Sequence, residues 1–384
     1  MLLKSLVRKL RYFVWASPLV WLALLNGCGS GSILDPFVPN RIIAFGDAFM
    51  DVRSNRFTVN DEAAVAPITY PFAPVFNNLF SLDAANANNT QLTVLERIVS
   101  YYGFGTVTPE TVGGLPATGA FSYGQGNALI MGADASAAPI GSLAKSVQGQ
   151  ITSFTNSNSF TASDLVIISG GTADVLSNER TGNSAAVVTA AQQLAGLVQT
   201  LISKGAKHVV VFGPPNLGKT PYAYNNGKTS TLAQLSWEGH GVTSCSDFNC
   251  ALINQLQINI GTISKNPVVV IDISGRSSVI TGTSPDTYLS AVDPLYNIAL
   301  AIPGNSAANY EENQTVPVTN DGNYYCNTHH GNATPFIQTG TQCLANTAFD
   351  YRTYAYADSI NFTPSVNRMI ADYIVGQLSI AGWR

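Results

Sequence analysis

The chain has 384 residues, of which 46% are hydrophobic and only 11% are charged. This length suffices for one large domain or for two, and the hydrophobic content excludes wholesale disorder because a sizeable core can be buried. Soluble proteins average roughly 25% charged residues, so the polar surface must consist largely of uncharged side chains. The formal net charge is −4, and no basic stripe predicts a nucleic-acid partner.

The N-terminus has the organisation of a secretory signal. Four basic residues lie between positions 4 and 11, and the apolar stretch 18–25 that follows is too short to span a bilayer comfortably. The stretch ends in Leu-Asn-Gly-Cys28, which resembles the lipobox of bacterial lipoproteins, in which the cysteine is lipidated. The resemblance implies a signal peptide over 1–27, a flexible tether over 28–40 and a lipid anchor at Cys28.

Such an anchor would hold the protein in the bacterial cell envelope, and Gly29 after the cysteine favours the outer membrane. Cleavage before Cys28 would move the formal net charge from −4 to −8, because only basic residues are removed. A cleaved signal without lipid and an uncleaved membrane anchor are the alternatives.

Alternating strand and helix patterns run from residue 41 to about 284, which is typical of a doubly wound α/β domain. The strands are apolar runs, as expected for a parallel sheet that is buried on both faces. The predicted strands are 41–45, 164–171 with a glycine turn at its end, 208–212 and 268–272. The predicted helices are 92–102, 185–204 with Gly205 as its C-cap, 247 to about 263, and 364–378 with Thr363 as its N-cap.

From about residue 284 to 350 the pattern changes. Asn, Thr, Tyr and Gly dominate and the periodicity fades, which predicts a long insertion over the sheet edge where loops gather. With Cys28 assigned to the lipid, four cysteines remain: Cys245, Cys250, Cys326 and Cys343. Outside the cytoplasm they indicate two disulfides with three possible connectivities. We favour Cys245 with Cys250 and Cys326 with Cys343, because each pair brackets a short polar loop.

A zinc site is the alternative use of these cysteines, since His329 and His330 lie near Cys326. The ligand spacing matches no standard zinc pattern. We therefore expect no metal, and nothing in the sequence indicates a cofactor.

Five segments resemble the sequence blocks of the GDSL or SGNH hydrolase family, in the family's order. They are Phe-Gly-Asp-Ala-Phe-Met-Asp at 45–51, Phe-Ser-Tyr-Gly-Gln-Gly-Asn-Ala at 121–128, Ile-Ser-Gly-Gly-Thr-Ala-Asp-Val at 168–175, Gly-Pro-Pro-Asn-Leu-Gly at 213–218 and Asp-Ser-Ile-Asn-Phe-Thr-Pro at 358–364. The resemblance covers roughly residues 41–378. It implies a three-layer, flavodoxin-like α/β fold with a central parallel sheet, and hydrolysis of carboxylic esters.

The chain departs from the family at three catalytic positions. Ala48 stands where the family has the nucleophilic serine, Ala173 where it has the asparagine of the oxyanion hole, and Asn361 where it has the histidine base. The resemblance retains Gly126, whose amide would donate to the oxyanion, and Asp358, which would orient the base. Three further carboxylates, Asp47, Asp51 and Asp174, correspond to residues that hold the turns.

These losses remove the nucleophile, the base and one oxyanion donor that acyl transfer requires. Removing a triad member leaves only about 10³ to 10⁴-fold catalysis over water, and losing an oxyanion donor removes roughly 10² to 10³ more. The sequence therefore predicts a catalytically degenerate lipoprotein that binds an acylated or carbohydrate ligand. An active esterase that uses Ser54 or Thr172, with His329 or His330 as base, is the first alternative. A structural envelope protein is the second.

Overall fold

The computed structural model describes residues 37–52, 93–110, 113–126, 128–132, 144–220, 222–223, 226–238, 244–261, 264–265, 267–273, 360, 362 and 364–383. The chain divides into two units, Met1–Phe37 and Val38–Arg384, and the elements below belong to the second. Several predicted features lie outside the described residues: Cys28 with its signal and most of the tether, Ser54, the insertion at 284–350 with Cys326, His329, His330 and Cys343, and the pair Asp358 and Asn361.

Within the part of the chain that the structure describes, seven strands form one sheet. They are β1 (Arg41–Phe45), β2 (Val107–Pro109), β3 (Gly119–Ser122), β4 (Asp164–Ser169), β5 (His208–Phe212), β6 (Ser264–Lys265) and β7 (Val268–Val270), in the spatial order β2-β3-β1-β4-β5-β7-β6. All pair in parallel except the short edge strand β6, which is antiparallel to β7. The predicted central parallel sheet is confirmed.

The order of the central strands determines where a site can lie. Read as β3-β1-β4-β5-β7, it is the 2-1-3-4-5 order of flavodoxin-like folds, in which the strand order reverses beside the first strand. Here the reversal lies between β1 and β4, and we call this place the switch point. Ligands of such sheets bind outside the carboxyl ends of the strands at the switch point.

Helices cover both faces of the sheet, as the α/β prediction requires. They are α1 (Val94–Tyr101), α2 (Val147–Ser157), α3 (Thr172–Asn178), α4 (Ser184–Ser203), α5 (Thr229–Ala233), α6 (Phe248–Ile260) and α7 (Pro364–Ile380). Apolar residues of α2, α4 and α6 form one core with alternate sheet residues such as Ile43 and Val166. The opposite alternation, including Ile42 and Leu165, is equally buried, and α1 packs against α7. The architecture is therefore three-layered.

An ion pair at the amino ends of β1 and β4 fixes their register. The buried guanidinium of Arg41 donates to both carboxylate oxygens of Asp164, at 2.8 and 2.6 Å, and the two residues are register partners. A slip of one residue between the two strands would break this bidentate pair and would move each side chain to the other face of the sheet. The ion pair therefore also fixes which residues lie side by side at the carboxyl ends of the strands. Phe45 consequently pairs with Ile168 at the carboxyl edge.

The predicted bounds of β1 and β5 are confirmed. Helix α1 begins at Val94 because Thr93 forms a capping box with Glu96, whose carboxylate accepts from the Thr93 amide at 3.0 Å. Helix α4 ends just before Gly205, which has a φ of +106° as a C-cap glycine would. By length and composition, α4 is the single described helix that could cross a membrane. Its residues Leu194 and Val198 belong to the core.

Candidate functional site

The turn after β1 begins at Gly46, whose backbone no other residue could adopt without strain. Its φ is +146°, and a Cβ atom there would lie 2.5 Å from the carbonyl oxygen of Ser169. The side chain of Gln150 grips both backbone groups of Gly46. Its Oε1 accepts from the amide at 2.7 Å, while its Nε2 donates to the carbonyl at 2.9 Å and to the Lys145 carbonyl at 3.0 Å.

The carboxylate of Asp47 ties this turn to the segment after β4. It is 2% exposed and accepts from the Ser169 hydroxyl at 3.2 Å and from the Thr172 amide at 3.4 Å. Burial raises the pKa of Asp47, and hydrogen bonds from Thr172, Phe49 and Ser169 offset part of that rise. The contacts are those of a residue that holds a turn.

Ala48 follows Asp47, at the position where the resemblance places the nucleophile. From residue 41 to 52 it is the one position that is not buried. The turn is closed behind it by the Met50 amide, which donates to the Asp47 carbonyl at 3.0 Å. The position at which the resemblance expects a nucleophile therefore reaches the surface at the switch point, and it carries a methyl group.

The loop after β3 packs tightly onto the same turn. A Cβ atom on Gly124 would lie within 2.6 Å of the Met50 backbone, and the Ser122 hydroxyl donates to the Met50 carbonyl. The amide of Gly126 donates to the buried carboxylate of Asp51 at 2.7 Å. The N–H group that the resemblance assigns to an oxyanion is thus held by a carboxylate, and the bond joins the two loops.

The segment after β4 contributes Ala173 and Asp174. Ala173 is buried, so its methyl group fills space beneath the surface. The Asp174 carboxylate accepts from the Ile130 amide at 3.2 Å, which holds the end of the loop that follows Gly126. Burial is the main cause that raises the pKa of Asp174 to about 7; the Ile130 amide acts against this rise, and the charge of Asp47 contributes to it.

The C-terminal block also reaches the turn. The ring of Phe362 lies 6.4 Å from the ring of Phe49, and the Phe49 ring makes an edge contact with Phe212 at the end of β5. Phe49 follows Ala48 in the chain, and Phe362 follows Asn361. The structure therefore brings four of the five resembling blocks to one edge of the sheet, together with Phe362 of the fifth.

The loop after β5, residues 213–218, is held by a residue that sequence reasoning missed. The buried side-chain amide of Asn249 donates to the Pro214 carbonyl at 2.8 Å and to the Ser236 carbonyl at 2.7 Å. Within the loop, the Asn216 side chain accepts from the Gly218 amide at 3.0 Å. Gln150 was missed in the same way, because neither residue belongs to a motif.

A disulfide between Cys245 and Cys250 is present, as predicted from their spacing. Their Cα atoms are 5.4 Å apart, within the usual range. The amide of Cys250 is also capped by the Asp247 carboxylate at 2.8 Å at the start of α6. Among the described residues, no group of three or more His, Cys, Asp or Glu side chains could hold a metal ion.

Comparison of the chain with models of known protein families gave no match, and comparison with curated proteins gave none.

Proposed function

We propose that the protein is a lipid-anchored envelope protein whose SGNH-like cleft binds an acyl-ester or glycan ligand without hydrolysing it. One observation carries the proposal. Ala48 is the accessible residue of a turn that is otherwise buried, and this turn lies at the switch point of the sheet. A ligand that enters there meets a methyl group instead of a hydroxyl group, so no acyl-enzyme can form at this position.

The hydrogen bonds of the surrounding loops favour ligand binding over ester hydrolysis. Gln150 fixes both backbone groups of Gly46, and Asp47 joins the turn to Thr172. A site held by such buried bonds is preorganised, which lowers the entropy that a ligand must lose on binding. In contrast, the Gly126 amide donates to Asp51, and Ala173 has no side-chain donor. Two groups expected to stabilise an oxyanion are therefore absent or engaged.

Ester turnover tests the proposal. The purified chain should release no p-nitrophenol from p-nitrophenyl acetate or butyrate above the buffer rate. The variant Ala48→Ser/Ala173→Asn/Asn361→His should gain measurable turnover, because restoring a nucleophile and its base is worth about 10³-fold or more in such sites. The matched control is Ala173→Asn/Asn361→His, which still lacks the nucleophile and should stay inert.

Binding is then measured directly. Titration calorimetry of the purified chain with p-nitrophenyl butyrate and with an O-acetylated oligosaccharide should show saturable heat for at least one of them. Replacing Ala48 with Asp should abolish that heat, since a charge would then face the bound ester. Absence of binding to both probes, together with a silent restored variant, would instead favour a structural role.

One observation favours an active esterase as a second candidate. The side chain of Thr172, which is half-buried, hydrogen-bonds to the Asp47 carboxylate. A hydroxyl group and a carboxylate that could act as its base are therefore in contact, and Asp47 directly precedes Ala48 in the chain. If the purified chain does hydrolyse the esters, Thr172→Val should abolish the activity and Thr172→Ser should keep it. That result would overturn the non-hydrolytic proposal.

A further inference from the structure

The residues enclosed by the Cys245–Cys250 disulfide lie directly behind two loops of the candidate site. Phe248 and Asn249 are both buried, and both fall between the two cysteines at the first turn of α6. Neither belongs to the blocks that resemble the hydrolase family. Their contacts reach the loops that follow β4 and β5.

Phe248 fills the space that side chains at two glycine positions would need. A Cβ atom on Gly171 would lie 2.4 Å from the tip of the Phe248 ring, and one on Gly213 would lie 3.2 Å from the same ring. Gly171 is the residue immediately before α3, and Gly213 begins the loop after β5. The Phe248 ring therefore packs against both loops, and we call it the wedge.

Asn249 adds polar contacts to this wedge. Its side chain donates to the carbonyls of Pro214 and Ser236, and the Ser236 hydroxyl accepts from the Leu217 amide at 3.0 Å. A Cβ atom on Gly213 would lie 2.2 Å from the side-chain oxygen Oδ1 of Asn249. Asn249 thus holds the first half of the loop after β5 at Pro214, and Ser236 holds the second half at Leu217.

The contacts continue from the wedge to the turn at position 48. Gly171 is followed by Thr172, whose amide donates to Asp47, and Asp47 precedes Ala48. A displacement of Phe248 would release the Gly171 backbone, and this release would weaken the bond that sets the orientation of the turn. The residues that the disulfide encloses are therefore connected to the candidate ligand site by a continuous series of contacts.

We infer that the Cys245–Cys250 disulfide controls the candidate site: a dithiol that reduces it frees Phe248 and Asn249, loosens the loops after β4 and β5, and weakens ligand binding at Ala48. The effect on the ligand rests on the proposed function. Reduction consumes two electrons and two protons from the dithiol and yields the thiols of Cys245 and Cys250 and a disulfide on the reductant. Cys245 is half-buried whereas Cys250 is buried, so an attacking thiolate approaches the bond from the side of Cys245.

Amide hydrogen exchange tests the coupling on the full chain without any ligand. Dithiothreitol should accelerate exchange at the amides of Thr172 and Leu217 by roughly tenfold or more, because the loops would open locally. The amides of β1 and β5 should keep their rates. In Cys245→Ser/Cys250→Ser, exchange should be fast from the start and dithiothreitol should add nothing, which separates this disulfide from the other cysteines.

A second variant keeps the disulfide and removes the wedge. Phe248→Leu should accelerate Thr172 exchange under oxidising conditions, whereas Ile258→Leu, an exposed position on the same helix, should not. Unchanged exchange at Thr172 on reduction, unchanged exchange in Phe248→Leu, or equal acceleration throughout β1 and β5 would each overturn the inference.

The effect on the site is read from the restored variant, Ala48→Ser/Ala173→Asn/Asn361→His. Reduction with dithiothreitol, which is then removed under anaerobic conditions because thiols cleave p-nitrophenyl esters, should lower its turnover of p-nitrophenyl butyrate by roughly tenfold. Full turnover in the reduced state would overturn control of the site. If the restored variant is silent and neither probe binds the purified chain, the proposed function fails, while the exchange rates still decide whether the disulfide supports the loops.

Discussion

Replacing Gln150 with methionine should destabilise the protein by about 1.5–4.5 kcal/mol. The side chain is fully buried and makes three hydrogen bonds, to the amide and carbonyl of Gly46 and to the Lys145 carbonyl. Methionine has nearly the same length but offers neither the acceptor nor the donors. The Gly46 carbonyl keeps one partner, since it also accepts from the Gln125 amide at 2.9 Å.

The magnitude follows from the groups left behind. The Gly46 amide would lose the partner described here, and a buried donor without a partner costs about 1–3 kcal/mol. The Lys145 carbonyl and the second bond of Gly46 add roughly 0.5–1.5 kcal/mol between them after repacking around the thioether.

Urea unfolding of the purified chain, followed by circular dichroism, measures this change. The matched control is Gln148→Met, which makes the same chemical change on an exposed position of α2 and should alter the free energy of unfolding by less than about 0.5 kcal/mol. Equal midpoints for the two variants would refute the argument that Gln150 holds the turn.

Two further outcomes are expected from the site. The pKa of Asp174 is raised to about 7 in the folded protein, so the folded state should lose stability as pH rises from about 4 to 7, by up to about 1.4 kcal/mol for each pH unit. Asp174→Asn should flatten the dependence of the urea-derived free energy of unfolding on pH over that range. An unchanged dependence on pH would contradict the role of Asp174. Gly171→Ala should lower the unfolding temperature much more than Gly182→Ala does. Both glycines have positive φ, but only a Cβ atom at position 171 would collide with the Phe248 ring. Equal decreases would show that the Phe248 ring moves aside to make room for the methyl group.

The sequence was informative where the local pattern was strong. The bounds of β1 and β5 follow from apolar runs that end at glycine, and the start of α1 lies within two residues of its prediction because Thr93 and Glu96 form a capping box. Strand β3 was missed, since Gly-Ala-Phe-Ser is short and lacks β-branched residues. Helix α2 was missed because it consists mainly of Gln, Ser, Thr and Asn.

The supporting residues of the site could not be predicted for a different reason. Gln150 lies 104 positions from Gly46, and one glutamine in a polar helix carries no local signal for a buried role. The same holds for Asn249, whose partner Pro214 is 35 positions away. The motif residues were recognisable because they lie in short contiguous segments at the ends of predicted strands, whereas their supports are specified by the packing of distant elements.

The shape of the turn after β1 does not depend on the side chain at position 48. Gly46, Asp47, Gln150 and Ser169 supply its hydrogen bonds and its close contact. A change from serine to alanine there would consequently have no folding penalty to oppose it. The residues that fix the shape of this turn are therefore distinct from the residue at its one accessible position, so a substitution at position 48 leaves the architecture unchanged. By the same separation, Ala48→Ser requires no compensating change within the turn itself.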